Sequence, residues 1–246
     1  MVISDCFWEI DNIGKKTVEI VIEEQDSFDS RRIFNSTLGY EYSVVKVPMN
    51  KPRFNIGLSG MGYSCIEAQI NLFMSYHDFD FSKVQNLLDD TDFDVVNNEQ
   101  AFYSVISMIS PGMFSTDRIS IDPYFGEEIG YRRYINWITT EYKKGTAQLI
   151  RILYQGMHVG FMLVKLKNDA IQLLLNGLYK PYHKRGLGAL TPASPMMFVR
   201  KNSSDILYEK TSISSNNIPV VKLYNKLHFQ IESQMYVFVK HNFSEK

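Results

Sequence analysis

Along the whole chain, short runs of alternating or continuous apolar residues are interleaved with stretches of helical spacing. In the first third, residues 16–23, 42–47 and 66–74 read as strands, and 29–38 and 54–61 as helices, with a turn at 48–52. Residues 78–100 form an acidic stretch that reads as a solvated connector and helix start. Helical spacing returns over 97–109, stops at Pro111-Gly112, and resumes over 127–143. Two strands, 148–154 and 159–165, flank Gln155-Gly156-Met157 as a hairpin, and the apolar run 170–178 is a third strand stopped by Pro181. The remainder reads as a helix after Gly188, a strand over 206–213, a helix over 218–227 and a last strand over 230–239. Such interleaving predicts an α/β protein with a mixed sheet, divided near Asp94 into a small α/β unit (1–94) and a larger one (95–246).

Composition narrows the class. A length of 246 residues and an apolar fraction of 45% give ample core, and a net charge of −1 with no basic tail argues against a nucleic-acid partner. Cys6 and Cys65 make neither a disulfide framework nor a metal spacing. Asp90-x-Asp92-x-Asp94 begins like a calcium loop but has Val95 where such a loop needs glycine and Ala101 where it needs glutamate, so no metal is expected. The first residues have neither the basic nor the apolar segment of a secretory signal, and no apolar run reaches membrane-spanning length. A cytoplasmic protein with no membrane partner is the expectation.

The densest candidate chemistry is Tyr182-His183-Lys184-Arg185-Gly186-Leu187-Gly188, between the strand 170–178 and a helix start at Ala189-Leu190. Glycines there let the backbone turn and approach a ligand, free N–H groups at a helix start attract anions, and three cationic side chains add to the field. By itself the pattern also fits a solvated basic turn. Downstream, Ser214-Ser215-Asn216-Asn217 suits a helix N-cap and Pro219 is tolerated in the first turn of the helix that follows.

Taken together, the glycine loop and the segment Asn217-Ile218-Pro219-Val220-Val221-Lys222-Leu223-Tyr224-Asn225-Lys226-Leu227-His228-Phe229 resemble the GCN5-related N-acetyltransferase (GNAT) superfamily. Its loop motif is Arg/Gln-x-x-Gly-x-Gly/Ala, and its later segment is Asn-x-x-Ala-x-x-Leu-Tyr-x-Lys-x-Gly-Phe. Here His183 replaces the first loop residue and His228 the glycine before Phe229. The run Phe54–Tyr63 before a strand, and Asp117, Arg118, Asp122, Pro123 and Phe125 before a helix, are similar to bacterial two-domain acetyltransferases of nucleotide-linked amino sugars, the dTDP-fucosamine acetyltransferase-like group.

The resemblance implies a GNAT fold preceded by a smaller α/β domain, and transfer of acetyl from acetyl-CoA to a small-molecule amine by direct attack in a ternary complex. It implies that the diphosphate lies on the backbone amides of Lys184, Arg185, Gly186, Leu187, Gly188 and Ala189 beside His183, and that amides at Leu178 and Tyr179 pair with the pantetheine arm. That arm enters a splay between the fourth strand, assigned to 158–165, and the fifth, assigned to 170–178. Tyr224 becomes the acid that protonates the thiolate, or a helix tyrosine packed on the last strand. Asn217 anchors the cofactor side of its helix or caps it. No general base stands out, although His158 and Glu209 lie at suitable distances along the chain. Pro192 and Pro195 are expected to delay, kink or unwind the helix after the loop, since each interior proline costs about 3 kcal/mol. Acylation of a protein or peptide, and a degenerate CoA-binding module, are the alternatives. The terminal strand offers an edge for a homodimer.

Overall fold

Residues 1–202 and 205–242 are described by the structure, a computed structural model. The elements run β1 (Val2–Asp5), α1 (Glu9–Ile13), β2 (Thr17–Val21), α2 (Ser30–Thr37), β3 (Tyr42–Pro48), α3 (Pro52–Gly60) and β4 (Ser64–Ser75). They continue with α4 (Gln85–Leu88), β5 (Thr91–Val95), α5 (Glu99–Ile106), α6 (Gly126–Lys143), β6 (Gln148–Tyr154), β7 (Met157–Lys167) and β8 (Ala170–Leu178). The last are α7 (Leu190–Lys201), β9 (Tyr208–Ser214), α8 (Ile218–Lys226) and β10 (Gln230–His241). Local chemistry sets many boundaries: Asp29 accepts from the amides of Arg31 and Arg32 to start α2, and Asn98 accepts from Ala101 at 2.8 Å to start α5.

All ten strands form one mixed α/β sheet in the order β1-β2-β3-β10-β4-β9-β8-β7-β6-β5. The pairs β2–β3 and β8–β9 are parallel and the others antiparallel. Apolar side chains of α1, α5 and α6 cover one face, where Phe102, Ile138 and Phe161 form one cluster and Ile13, Tyr42 and Val237 another. Helices α2, α3, α4, α7 and α8 cover the opposite face. Among the described residues no helix is long and apolar enough to cross a membrane, and no group of side chains could hold a metal ion.

Three expectations change. The acidic stretch contains a strand, β5, at the sheet edge: Phe93 packs edge-on against Phe198, while Asp94 pairs with Arg151 of β6. Alternate charges on an edge strand keep it from pairing with another chain, which is why the stretch reads as solvated. Asp94, the expected domain boundary, therefore lies inside a strand bonded to β6. The terminal strand offers no dimer edge, because β10 is inserted between β3 and β4 with both sides paired.

Candidate functional site

β8 and β9 are paired only from Ala170↔Tyr208 to Leu173↔Thr211. Beyond them the two strands part. The cause is on β8: Val164 of β7 faces Leu173 and Leu163 faces Leu175, so Leu174 is an extra residue, a β-bulge. A bulge bends its strand and shifts side-chain alternation by one. Accordingly Ile171 and Leu173 pack with Phe198 and Val199 of α7, whereas Leu174 and Leu175 pack with the α5–α6 cluster. The splay is thus one strand later than expected from the sequence, because 158–165 and 170–178 pair antiparallel along their length.

Both faces reach this gap. On the α8 side stands Tyr224, 2% exposed, with its ring edge-on to Phe229 at 4.7 Å. Burial, and then the nearby Glu209 carboxyl, raise the phenol well above its usual range, while the Thr211 hydroxyl pulls slightly the other way. Glu209 is wholly buried on β9, neither carboxyl oxygen has a hydrogen-bond partner among the described residues, and burial pushes its pKa well above the usual carboxylate range. On the α6 side stands Glu67 of β4. It lies opposite Val237, whose side chain packs with Ile119 and Tyr42 on that face. Burial raises Glu67, although the Ser214 hydroxyl, Arg118 and Lys46 pull it down.

Around Glu67, Arg133 donates to Glu9 through Nε and Nη2 at 2.6–3.1 Å. Arg118 lies between Glu9 at 4.0 Å and Glu19 at 3.8 Å; burial opposes its charge, but Glu19, Tyr42 and Glu9 outweigh that and keep it ionised. A cleft of about 980 Å³ joins these parts, running from α1 and α6 through the β8–β9 gap to Thr191, Val220 and Tyr224.

The loop between β8 and α7 connects Asn176 and Thr191, both of which line the cleft. Lys184 and Gly186 have φ of 60° and 80°, and an added Cβ at Gly186 would meet nothing, so the backbone turn alone calls for glycine there. Among the described residues no protein acceptor meets the amides of Lys184, Arg185 or Gly186. A short 3₁₀ turn, Leu187–Ala189, leads into α7.

A parallel strand pair that opens beside such a loop is decisive when set beside solved structures. A tandem GNAT protein of the clavulanic acid biosynthesis pathway superposes with TM-score 0.56 at 11% identity, covering 94% of this chain and 77% of its own. A GCN5-related N-acetyltransferase from Kribbella flavida gives 0.56 at 12%, covering 92% and 82%. One from Sphaerobacter thermophilus gives 0.53 at 9%, covering 81% of this chain, which spans 59% of that longer protein. The fold is that of the GCN5-related N-acetyltransferases. No family model and no curated protein matches the sequence.

Within the GNAT fold the sequence-predicted residues divide. Tyr224 and Asn217 line the cleft; Asn217 also caps α8, accepting from the Val220 amide at 3.4 Å. Tyr179 does not offer its amide, which donates to the Val159 carbonyl at 2.9 Å. Alternation along the strand turns the amides of Leu178 and Asn176 the other way, toward the free edge. His183 ties the loop to the strand, its Nε2 lying 2.8 Å from the Leu178 carbonyl, and Arg185 stands over the Tyr182 ring at 5.5 Å. Gly188 faces Leu223 of α8.

His158 lies outside the cleft, bonded to the Tyr179 hydroxyl at 2.9 Å, with burial and then Arg151 holding its pKa down to about 4. Asp122 is a structural pin, accepting from the Tyr124 amide and lying 2.8 Å from His241 Nε2 of β10. Two cleft residues escaped the sequence reading. Glu67 is one glutamate among many in an alternating strand, and Asn176 sits in an apolar run; only the third dimension gives either a neighbour.

The prolines leave α7 intact. Pro192 falls in its first turn, where amides lack intrahelical partners anyway. Pro195 lacks the N–H that would bond the Thr191 carbonyl, and the Asn176 side-chain amide donates to that carbonyl instead. The helix therefore neither starts late nor unwinds.

Proposed function

We propose that the chain is an acetyl-CoA-dependent N-acetyltransferase acting on a small-molecule amine. One observation carries the reading: the β8–β9 gap opens onto Glu67 from one face and Tyr224 from the other, beside a loop of unpartnered amides. The residues fit acetyl-CoA: the amides of Lys184 to Gly186 and the first-turn amides of Leu187 to Ala189 suit its diphosphate. The outward amides of Asn176 and Leu178 suit its pantetheine arm. Bound there, acetyl-CoA supplies the acetyl group as a thioester.

Glu67 accepts the proton that the attacking amine nitrogen sheds as the new C–N bond forms. Its raised pKa narrows the gap to an ammonium. Tyr224 gives its phenolic proton to sulfur as the C–S bond breaks, and proton exchange through water restores both side chains. Burial raises the phenol, and burial in the same gap raises a thiol as well, so both proton partners shift in the same direction. An amino sugar on a nucleotide, the acceptor that residues 117–125 suggest by resemblance, is the second reading; it would place its phosphates near Arg118 and Arg133.

Acetyl-CoA is expected to bind the wild type in calorimetry and to release free thiol when an amine is added. Gly186→Val should abolish binding, since a β-branched residue at that φ costs about 1–3 kcal/mol and displaces the amides. Tyr224→Phe should keep binding and lower kcat by about a hundredfold or more. Unchanged affinity in the first variant, or unchanged kcat in the second, would remove the corresponding residue from the site.

A further inference from the structure

From the charge and the walls of the cleft on the α1–α6 face, we infer that the acceptor is a cationic amine bearing an aromatic or bulky apolar group, without phosphate. The inference rests on the acetyltransferase reading for its chemistry but not for its binding test. The cleft wall is aromatic: Phe7 lies edge-on to Trp8 at 5.1 Å, Phe114 lies 4.7 Å from Tyr134, and Tyr134 lies 6.3 Å from Trp137, all five facing the cleft. Phe7 and Trp8 are 67% and 46% exposed, so their ring faces are open to the cleft. Aromatic faces attract both apolar groups and ammonium ions.

The ionic groups point the same way. Acids lining the cleft are Asp11, Glu67, Asp117 and Glu141; bases are Arg118, Arg133 and Lys144. The bases are largely matched already. Arg133 is chelated by Glu9, and Arg118 has Glu9, Glu19 and Glu67 around it. The Arg118 Nε is an unused donor, yet a phosphate reaching it would meet those three carboxylates. Lys144 is exposed at the C-terminal cap of α6, where the helix carbonyls favour it, and Glu141 is already paired with Lys165 at 2.7 Å. By contrast, among the described residues the Asp117 carboxylate accepts only from the Ile119 amide and the Ser120 hydroxyl, while Glu67 has the Ser214 hydroxyl at its side, with Arg118 and Lys46 also drawing on it. Among the described residues the cleft acids Asp11 and Asp117 have no ion-pair partner, which leaves a small surplus of negative charge, and Glu67, at the gap, is where an ammonium would bring its nitrogen to the reacting carbon.

Both tryptophans of the chain, Trp8 and Trp137, line this cleft, so intrinsic fluorescence reports its occupancy directly. Titration with 2-phenylethylamine, without acetyl-CoA, should give a saturable change in tryptophan emission. Its neutral analogue 2-phenylethanol should bind about tenfold more weakly, and Glu67→Gln should cost the amine a similar factor. Glucosamine 6-phosphate should give no saturable change over the same range. Equal affinity for amine and alcohol, or tighter binding of the phosphorylated sugar, would overturn the inference. The alcohol comparison needs no variant and so survives a Glu67→Gln protein that fails to fold. Because acetyl-CoA is absent from the titration, a negative result leaves the calorimetric test of the cofactor site standing, and the converse holds too.

Discussion

Glu209 lies behind Tyr224 on β9, fully buried, with two carboxyl oxygens that meet no partner among the described residues, and burial opposes its ionisation. Its folded pKa is raised above the unfolded value of about 4.3. A carboxyl so raised binds its proton more tightly in the native state, so its contribution to stability is complete below the unfolded pKa. That contribution is lost as pH rises through the folded value. Glu209→Gln, which cannot ionise, should therefore gain stability relative to wild type between pH 4 and pH 8. Urea denaturation of both proteins at the two pH values checks this. A stability difference that does not move with pH would mean that Glu209 finds a partner in solution. At this scale the sequence was informative for Tyr224, whose position within the Asn217–Phe229 segment marks it. It was silent on Glu67, because whether a strand glutamate is solvated or half-buried beside a serine from another strand depends on register.

At the scale of elements, the join between β8 and α7 carries a specific tie beside the gap. Pro195 frees the Thr191 carbonyl, and Asn176, two residues past the bulge, occupies it with its amide. One side chain thus holds the bulged strand to the helix that follows the loop. Asn176→Ala leaves that carbonyl unmet and should cost about 1–3 kcal/mol. In a Pro195→Ala background the restored backbone N–H takes the carbonyl, and the cost of Asn176→Ala should shrink. A double-mutant cycle by chemical denaturation measures the coupling; two costs that simply add would disprove it. The interior proline was visible in the sequence and read there as a helix breaker. Its compensation was not visible, because the compensating donor comes from a different element, fifteen residues before the Thr191 carbonyl it meets.

For the whole molecule, the position of β10 is the defining feature. The last strand crosses back to pair with β3 over Tyr42–Pro48 and with β4 over most of its length, so the first and last parts of the chain share one sheet. Phe238 packs with Ile20, Ile33 and Phe54 of the N-terminal part, and Val237 packs with Ile119. A separate N-terminal domain of residues 1–94 would lack this strand, leaving facing edges of β3 and β4 unpaired. Deleting residues 230–246 should therefore unfold the N-terminal part along with β9 and α8, and the intact chain should melt in one calorimetric transition. Two resolved transitions, or a folded 1–94 fragment, would argue for independent domains instead.

Most helices and strands were legible in the chain, because alternation and helical spacing are local and the caps Asp29, Asn98 and Asn217 are written beside the elements they start. The glycine loop was equally legible, since a turn at positive φ needs little beyond Gly186 itself. Three things were decided only in the tertiary structure: the gap between β8 and β9, the placing of Glu67 and Tyr224 along one cleft, and the position of β10. All three depend on strand order, and the gap depends also on a one-residue bulge at Leu174. A register shift of a single residue leaves no mark on composition or periodicity, yet it decides which side chains meet.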